Sequence, residues 1–185
     1  EDSIGIGKYV FTGGYSPVST ESSSGITAVG TKLGVDGINT NVFGQGKIDN
    51  IGGGSPIRAN DSTILGNRNQ LASLDSNGQQ ILPSSINDYA TGSHILGNDN
   101  QAWGNNAIAI GNKIFVYQNS VALGYAARAF GNKSIALGYG ATANGENSIS
   151  IGTGNDVEGA KSSAIGDPSY IDTTATGTHV HGNDN

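Results

Sequence analysis

The side chains best suited to acid–base or metal chemistry are three histidines, in a chain of 185 residues that has no cysteine. His179 and His181 are two residues apart. On a strand this spacing puts both on one face and could begin a zinc site, but the sequence shows no third ligand. We interpret this pair as part of a solvated tail. His94 lies in a column of apolar residues, and we interpret it as a satisfied side chain within the stack, or one at a contact between copies, rather than as a ligand or base. No Ser/His/Asp constellation is recognisable, so the sequence predicts no catalytic residue and no enzyme.

Two glycine-containing motifs invite comparison with known ion and phosphate sites. Gly-Asn-Asp-Asn occurs at 97–100 and again at 182–185. It is similar to part of the calcium-binding nonapeptides, but those repeat every nine residues, so we interpret its Asn and Asp as turn residues. The glycine-rich segment 52–55 is not followed by Lys-Ser or Lys-Thr, which argues against a phosphate loop. We therefore predict no metal and no cofactor.

Composition excludes two further classes of function. The net charge is −6 and charged residues make up 13 % of the chain. Lys and Arg are not clustered, so we expect no nucleic-acid partner. No apolar run reaches the length of a membrane helix, so we expect no direct membrane insertion by this chain.

A five-residue block ending in glycine recurs with a period of fourteen residues. Blocks such as Ser-Val-Ala-Leu-Gly stand at 93–97, 107–111, 120–124, 134–138, 148–152 and 162–166, with weaker versions at 3–7, 26–30, 40–44 and 62–66. Each of these ten or so rungs reads as two short strands separated by glycine turns. One coil cannot bury its own apolar face, whereas stacked coils can. The repeat therefore predicts an all-β parallel solenoid, a β-roll of 14-residue repeats.

Alignment of the rungs gives columns that share a face. The column before the key glycine is large (Leu123, Leu137, Ile151), and the column before that is small (Ala122, Ala136, Ala164). A first strand that is apolar on both faces must be covered on both, and other copies of the chain are the natural cover. We expect the large column to fill the roll opposite the small column Ala129, Ala143 and Val157. The other Ala column would then face neighbouring copies.

A second set of aligned positions predicts a ligand-binding surface. Six residues after the key glycine stand Trp103, Tyr117 and Phe130, and four after it stand Phe115 and Arg128. Strand alternation points these five residues, the aromatic ridge, away from the roll interior. Exposed aromatics beside Arg are typical of binding hot spots. The alternative is that the ridge packs against the next copy or under an insertion.

Two segments interrupt the period, at about 8–24 and 72–91, and we interpret both as loops projecting from a single roll that spans 1–185. The strongest repeats cover 93–166.

The block 120–133, Ser-Val-Ala-Leu-Gly-Tyr-Ala-Ala-Arg-Ala-Phe-Gly-Asn-Lys, is followed in register by Ser-Ile-Ala-Leu-Gly. It resembles the head repeat of YadA-like trimeric autotransporter adhesins, whose motif is close to Ser-Val-Ala-Ile-Gly followed by Ala-x-Ala-x-Gly. The resemblance implies a left-handed β-roll, a homotrimer, and a place on the surface of a Gram-negative bacterium. Anchoring in the outer membrane would come from a neck, stalk and barrel that this head fragment lacks. The implied partners are collagen, fibronectin, laminin or cell-surface glycoproteins.

Other solenoids remain as alternatives. An inert structural spacer that presents other domains would have the same repeat. Hexapeptide-repeat acyltransferases have a period of six, ice-binding solenoids need a Thr ladder, and polysaccharide lyases need longer coils; the sequence shows none of these.

Overall fold

A computed structural model of the protein describes residues 2–12, 24–45, 57–74, 80–81 and 90–183. Those residues are all-β, contain no helix, and make about nine turns of parallel β-solenoid, against the ten or so rungs expected. They belong to two compact units. The first unit is Glu1–Asp99 with Trp103–Asn106, and the second is Asn100–Ala102 with Ala107–Asn185.

Among the described residues, nine strands precede residue 100. They are β1 (Ile4–Thr12), β2 (Thr27–Ile38), β3 (Asn41–Gln45), β4 (Ile57–Asn60), β5 (Thr63–Asn67), β6 (Gln70–Leu74), β7 (Gln80–Ile81), β8 (Ala90–Thr91) and β9 (His94–Asn98). In the first unit β1, β2, β3, β5 and β9 pair in parallel in that order, and β4 joins β2 to β8. The antiparallel β6–β7 pair is the exception. Most of the two predicted insertions, residues 13–23, 75–79 and 82–89, lies outside the described residues.

The second unit is more regular, with twelve strands in alternation. They are β10 (Gln101–Trp103, whose last residue belongs to the first unit), β11 (Ile108–Asn112), β12 (Phe115–Val116), β13 (Val121–Tyr125), β14 (Arg128–Ala129), β15 (Ile135–Tyr139), β16 (Thr142–Ala143), β17 (Ile149–Gly152), β18 (Asp156–Val157), β19 (Ser163–Asp167), β20 (Tyr170–Ile171) and β21 (His179–Asn183). Odd-numbered strands from β11 to β21 form one parallel sheet, called sheet 1, and the even-numbered strands form sheet 2. Each predicted block in 107–166 therefore supplies a sheet 1 strand.

The key glycine of each rung is required by contact with the next rung. Gly138 has φ +134°, and a Cβ built there would overlap the carbonyl oxygen of Gly152. A side chain is therefore excluded both by backbone conformation and by space. The following corner is more tolerant, because Ala126 and Gly140 occupy the same position with φ 54° and 64°.

The serines that open the blocks at 120–124 and 162–166 cross-link successive coils from inside. Ser120 is fully buried. Its Oγ donates to the Gly131 carbonyl at 2.8 Å and accepts the Ser134 N–H at 3.0 Å. Ser162 repeats the pattern with Ala175 and Thr178. The serine thus satisfies backbone groups that the turn would leave buried and unpaired.

The interior of the roll is lined by small residues from both sheets, which corrects the expected assignment of faces. Ala122, Ala136 and Ala164 are fully buried, as are Ala129 and Ala143 on the facing strands. The large column is on the outside instead, since Leu123 is 42 % exposed. Two short sheets that curve into one roll leave a narrow gap, which two small columns fill without a void.

The interpretation of His179 and His181 as a solvated tail is wrong. They belong to β21, the last strand of sheet 1, which pairs with β19 through Ser163↔His179 and Ile165↔His181. The strand escaped the sequence pattern because Gly182 follows Gly166 by sixteen residues instead of fourteen.

Candidate ligand-binding and self-association surfaces

The structure places four of the five residues of the aromatic ridge together on the outer face of sheet 2. Phe115 on β12 and Arg128 on β14 are register partners. The Phe115 and Phe130 ring centroids lie 4.9 Å apart with a tilt of 45°. Phe130 is 38 % exposed, Arg128 is exposed, and Phe115 and Tyr117 are half-buried. These residues form an accessible apolar patch with a cation beside it.

Trp103, the fifth ridge residue, is half-buried and belongs to the first unit. Its predicted role in ligand binding stays a prediction.

Further along sheet 2 the same outer face becomes acidic. Arg128 is followed by Thr142, Asp156 and then Tyr170 in the register of β14, β16, β18 and β20. Burial, and then the neighbouring Glu158, raise the pKa of Asp156. The Tyr170 hydroxyl donates to Glu158 Oε2 at 2.9 Å. That hydrogen bond is the main cause that raises the pKa of Tyr170 to about 12. One face thus carries aromatics at one end and carboxylates at the other.

A tyrosine pair at the corner after the key glycine was missed by the sequence analysis. Tyr125 and Tyr139 are register partners on β13 and β15. Their rings stack 5.4 Å apart at an angle of 9°, and Tyr139 is 63 % exposed. Lys113 Nζ lies 5.3 Å from the Tyr125 ring centroid and donates to its hydroxyl at 2.9 Å. The sequence could have revealed this pair, since both tyrosines directly follow an aligned glycine.

The outer face of sheet 1 in the second unit is a continuous apolar surface, called here the aliphatic face. It consists of Ile108, Ile110, Val121, Leu123, Ile135, Leu137, Ile149, Ile151 and Ile165. All nine side chains are exposed or half-buried, and they stand in register over five strands. Monomeric soluble proteins rarely leave an apolar patch of this extent in water.

Within one chain, ion binding has no recognisable centre among the residues that the structure describes. No three His, Cys, Asp or Glu side chains there cluster closely enough to hold a metal ion. Asp99, from the first Gly-Asn-Asp-Asn motif, lies in a turn with φ 57° and pairs with Arg68 at 2.6 Å. Across the described ranges there is no helix of the length and apolarity needed to cross a bilayer.

Comparison with known families decides the nature of the repeats. The family described as YadA head domain repeat (2 copies) matches residues 96–113, 118–141, 131–155 and 143–167. Residues 96–113 and 118–167 are therefore similar to YadA-like head repeats. That family implies the context of a trimeric autotransporter. No curated protein matches the chain.

The matched segments include the aliphatic face and the small interior columns, but they do not include the whole aromatic ridge. Phe115 and Tyr117 lie between the first two matched segments. In that interval the rung is one residue short, as the spacing of Gly111 and Gly124 shows. The other three residues of the ridge, Trp103, Arg128 and Phe130, lie within matched segments.

Proposed function

We propose that this chain is the head of a trimeric bacterial surface adhesin, which binds host ligands non-covalently and multivalently. The observation that carries the proposal is the exposed aliphatic face in a chain built of YadA-like head repeats. The family is non-enzymatic in general and suggests adhesin-type function.

The aliphatic face supports self-association. Its nine side chains project from adjacent parallel strands, so they present two straight columns that an identical copy can match by rotation about a common axis. Three left-handed rolls around one axis would cover the face of each. The interior side of the same strands is filled by Ala122, Ala136 and Ala164, so among the described residues the aliphatic side chains point away from the roll and stay accessible.

Sheet 2 would then face outward and carry the ligand contacts. Phe115, Phe130 and Arg128 combine apolar area with a cation, the composition of interface hot spots. The Tyr125–Tyr139 pair adds a second exposed aromatic surface in the same unit. Three copies of each surface per trimer, and many trimers per cell, give avidity to weak single contacts.

We propose host matrix proteins (collagen, fibronectin or laminin) or cell-surface glycoproteins as partners. The head would stand at the bacterial cell surface, held to the outer membrane through other segments of the same protein.

A binding assay tests the function. The chain is applied to immobilised collagen, fibronectin, laminin and glycoproteins, and retention is measured by surface plasmon resonance. The double variant Phe115→Ala, Phe130→Ala, which stays within the second unit, should remain trimeric and lose about tenfold or more in affinity, since hot-spot truncations exceed about 1.4 kcal/mol. Tyr170→Ala, an exposed aromatic at the acidic end of sheet 2, is the matched control and should bind as the parent does.

One outcome would count against the adhesin proposal, and a second would count only against the ridge as its binding site. If the parent binds no ligand on the panel, the chain is better described as a structural spacer. If the double variant binds like the parent, the adhesin proposal stands and the ridge is removed from its binding site.

A further inference from the structure

The last strand of sheet 1 changes the chemistry of the aliphatic face. β21 pairs in register with β19, so His179 follows Ser163 and His181 follows Ile165 in the two outward columns. Both imidazoles are exposed. Val180 between them points the other way and packs on the interior cluster of Val157, Ala164 and Ile171. The two histidines therefore occupy columns that Val, Ile or Leu fill in the rungs from β11 to β17.

One of the two imidazoles is already oriented by a neighbour. Ser163 Oγ lies 2.8 Å from His179 Nδ1, and Ser163 itself is 91 % buried. With Nδ1 engaged, Nε2 is the nitrogen available on the exposed side of the ring. Metal-binding histidines are held by the same kind of second hydrogen bond, which fixes the ring and its tautomer.

In the assembled head, the imidazole of His181 would need a polar or metal partner because of its position. It continues the column of Leu123 and Ile165, whose side chains protrude furthest from sheet 1. If other copies cover that column, the imidazoles lose water, and a buried polar group without a partner is costly. A rotation axis brings only further copies of the same two histidines. Three imidazole nitrogens around one point are a ligand set that zinc and nickel accept.

We propose that His179 and His181 of three chains together form a divalent transition-metal site on the axis of the trimer. The inference rests on the proposed trimer, because among the described residues one chain brings no third His, Cys, Asp or Glu to these two histidines. His181 supplies the three ligands nearest the axis, and His179, positioned by Ser163, completes the coordination shell from the adjacent column. The ion ties the three β21 strands together and so has a structural role.

The test is a zinc titration of the chain after EDTA treatment and dialysis, by isothermal calorimetry, with the sedimentation mass measured in parallel. We expect one Zn²⁺ per three chains and a rise in thermal midpoint on binding. His181→Ala should abolish saturable binding. Ser163→Ala should weaken it roughly 10- to 100-fold, the effect of removing an outer-shell partner. His94→Ala, which removes an exposed histidine of the first unit, is the matched control and should leave binding unchanged.

The outcomes separate this inference from the proposed function. A trimer in EDTA that binds no zinc, or binds one ion per chain, overturns the metal site and leaves the adhesin head standing. A monomer both with and without zinc overturns the trimer and the site together. A trimer whose zinc binding survives His181→Ala also refutes the assignment.

Discussion

Replacement of Leu123 by Ser should weaken association of the chains without unfolding any one of them. Leu123 stands on the aliphatic face and is 42 % exposed in the single chain. Full burial of a leucine side chain is worth about 1.5–3 kcal/mol, so covering the exposed part contributes about 0.6–1.3 kcal/mol per chain. Summed over three chains, the loss is about 2–4 kcal/mol per trimer, which corresponds to roughly a 30- to 700-fold weaker association constant.

Sedimentation equilibrium over a range of concentrations measures this change, and circular dichroism checks that the fold is retained. The matched control is Phe130→Ser, because Phe130 is 38 % exposed but lies on the outer face of sheet 2. It should leave the association constant within a few-fold of the parent value. If Phe130→Ser dissociates the assembly and Leu123→Ser does not, the chains associate through sheet 2 rather than through the aliphatic face, and this prediction is refuted.

Three further predictions concern the roll itself. Ala136→Leu should destabilise the fold by about 1–3 kcal/mol, measured by denaturant unfolding, because the column it belongs to is fully buried in a filled interior. Gly138→Ala should prevent normal folding, since the new Cβ would overlap a carbonyl oxygen of the next coil. Gly140→Ala, whose Cβ would have nothing within 4 Å, should lower the free energy of unfolding by only about 1 kcal/mol. Equal thermal midpoints for the two variants would refute this reasoning. Tyr170 should ionise near pH 12 in a spectrophotometric titration, and Glu158→Gln should bring its pKa down towards 10. Because the folded-state pKa lies above the unfolded value, the stabilisation is complete below pH 10 and is lost as pH rises through 12.

The strands of the second unit could be predicted from the sequence because the key glycine fixes each rung. Gly124 and Gly138 have no room for a side chain, so the glycine period reports the stacking period directly. The missing residue after Tyr117 could also be placed, since β12 and β14 keep their register through Val116↔Ala129.

The same pattern does not show which face of each sheet 1 strand points into the roll. Alternation shows that Ala122 and Leu123 point in opposite directions, but it does not show which of them points inward. The decision depends on the width of the gap between sheets 1 and 2. That gap admits Ala122 opposite residues such as Ala129 and leaves Leu123 outside.

The candidate site was predicted in part. Strand alternation correctly grouped Phe115, Phe130 and Arg128 on one outer face, because register partners on parallel strands share a face. The ring contact between Phe115 and Phe130 depends on rotamers, which spacing does not give. His179 was missed for another reason: the two extra residues in its turn broke the period that identified the other rungs.

The mass of the chain in solution tests most directly the central claim, that the chain forms a trimer. The proposed role of the aliphatic face, the outward direction of sheet 2 and the shared histidine site all depend on that trimer. Sedimentation equilibrium at micromolar concentration should give about 56 kDa, three times the 18.7 kDa of one chain. A mass that stays at 18.7 kDa up to tens of micromolar, with the roll folded, would contradict the account.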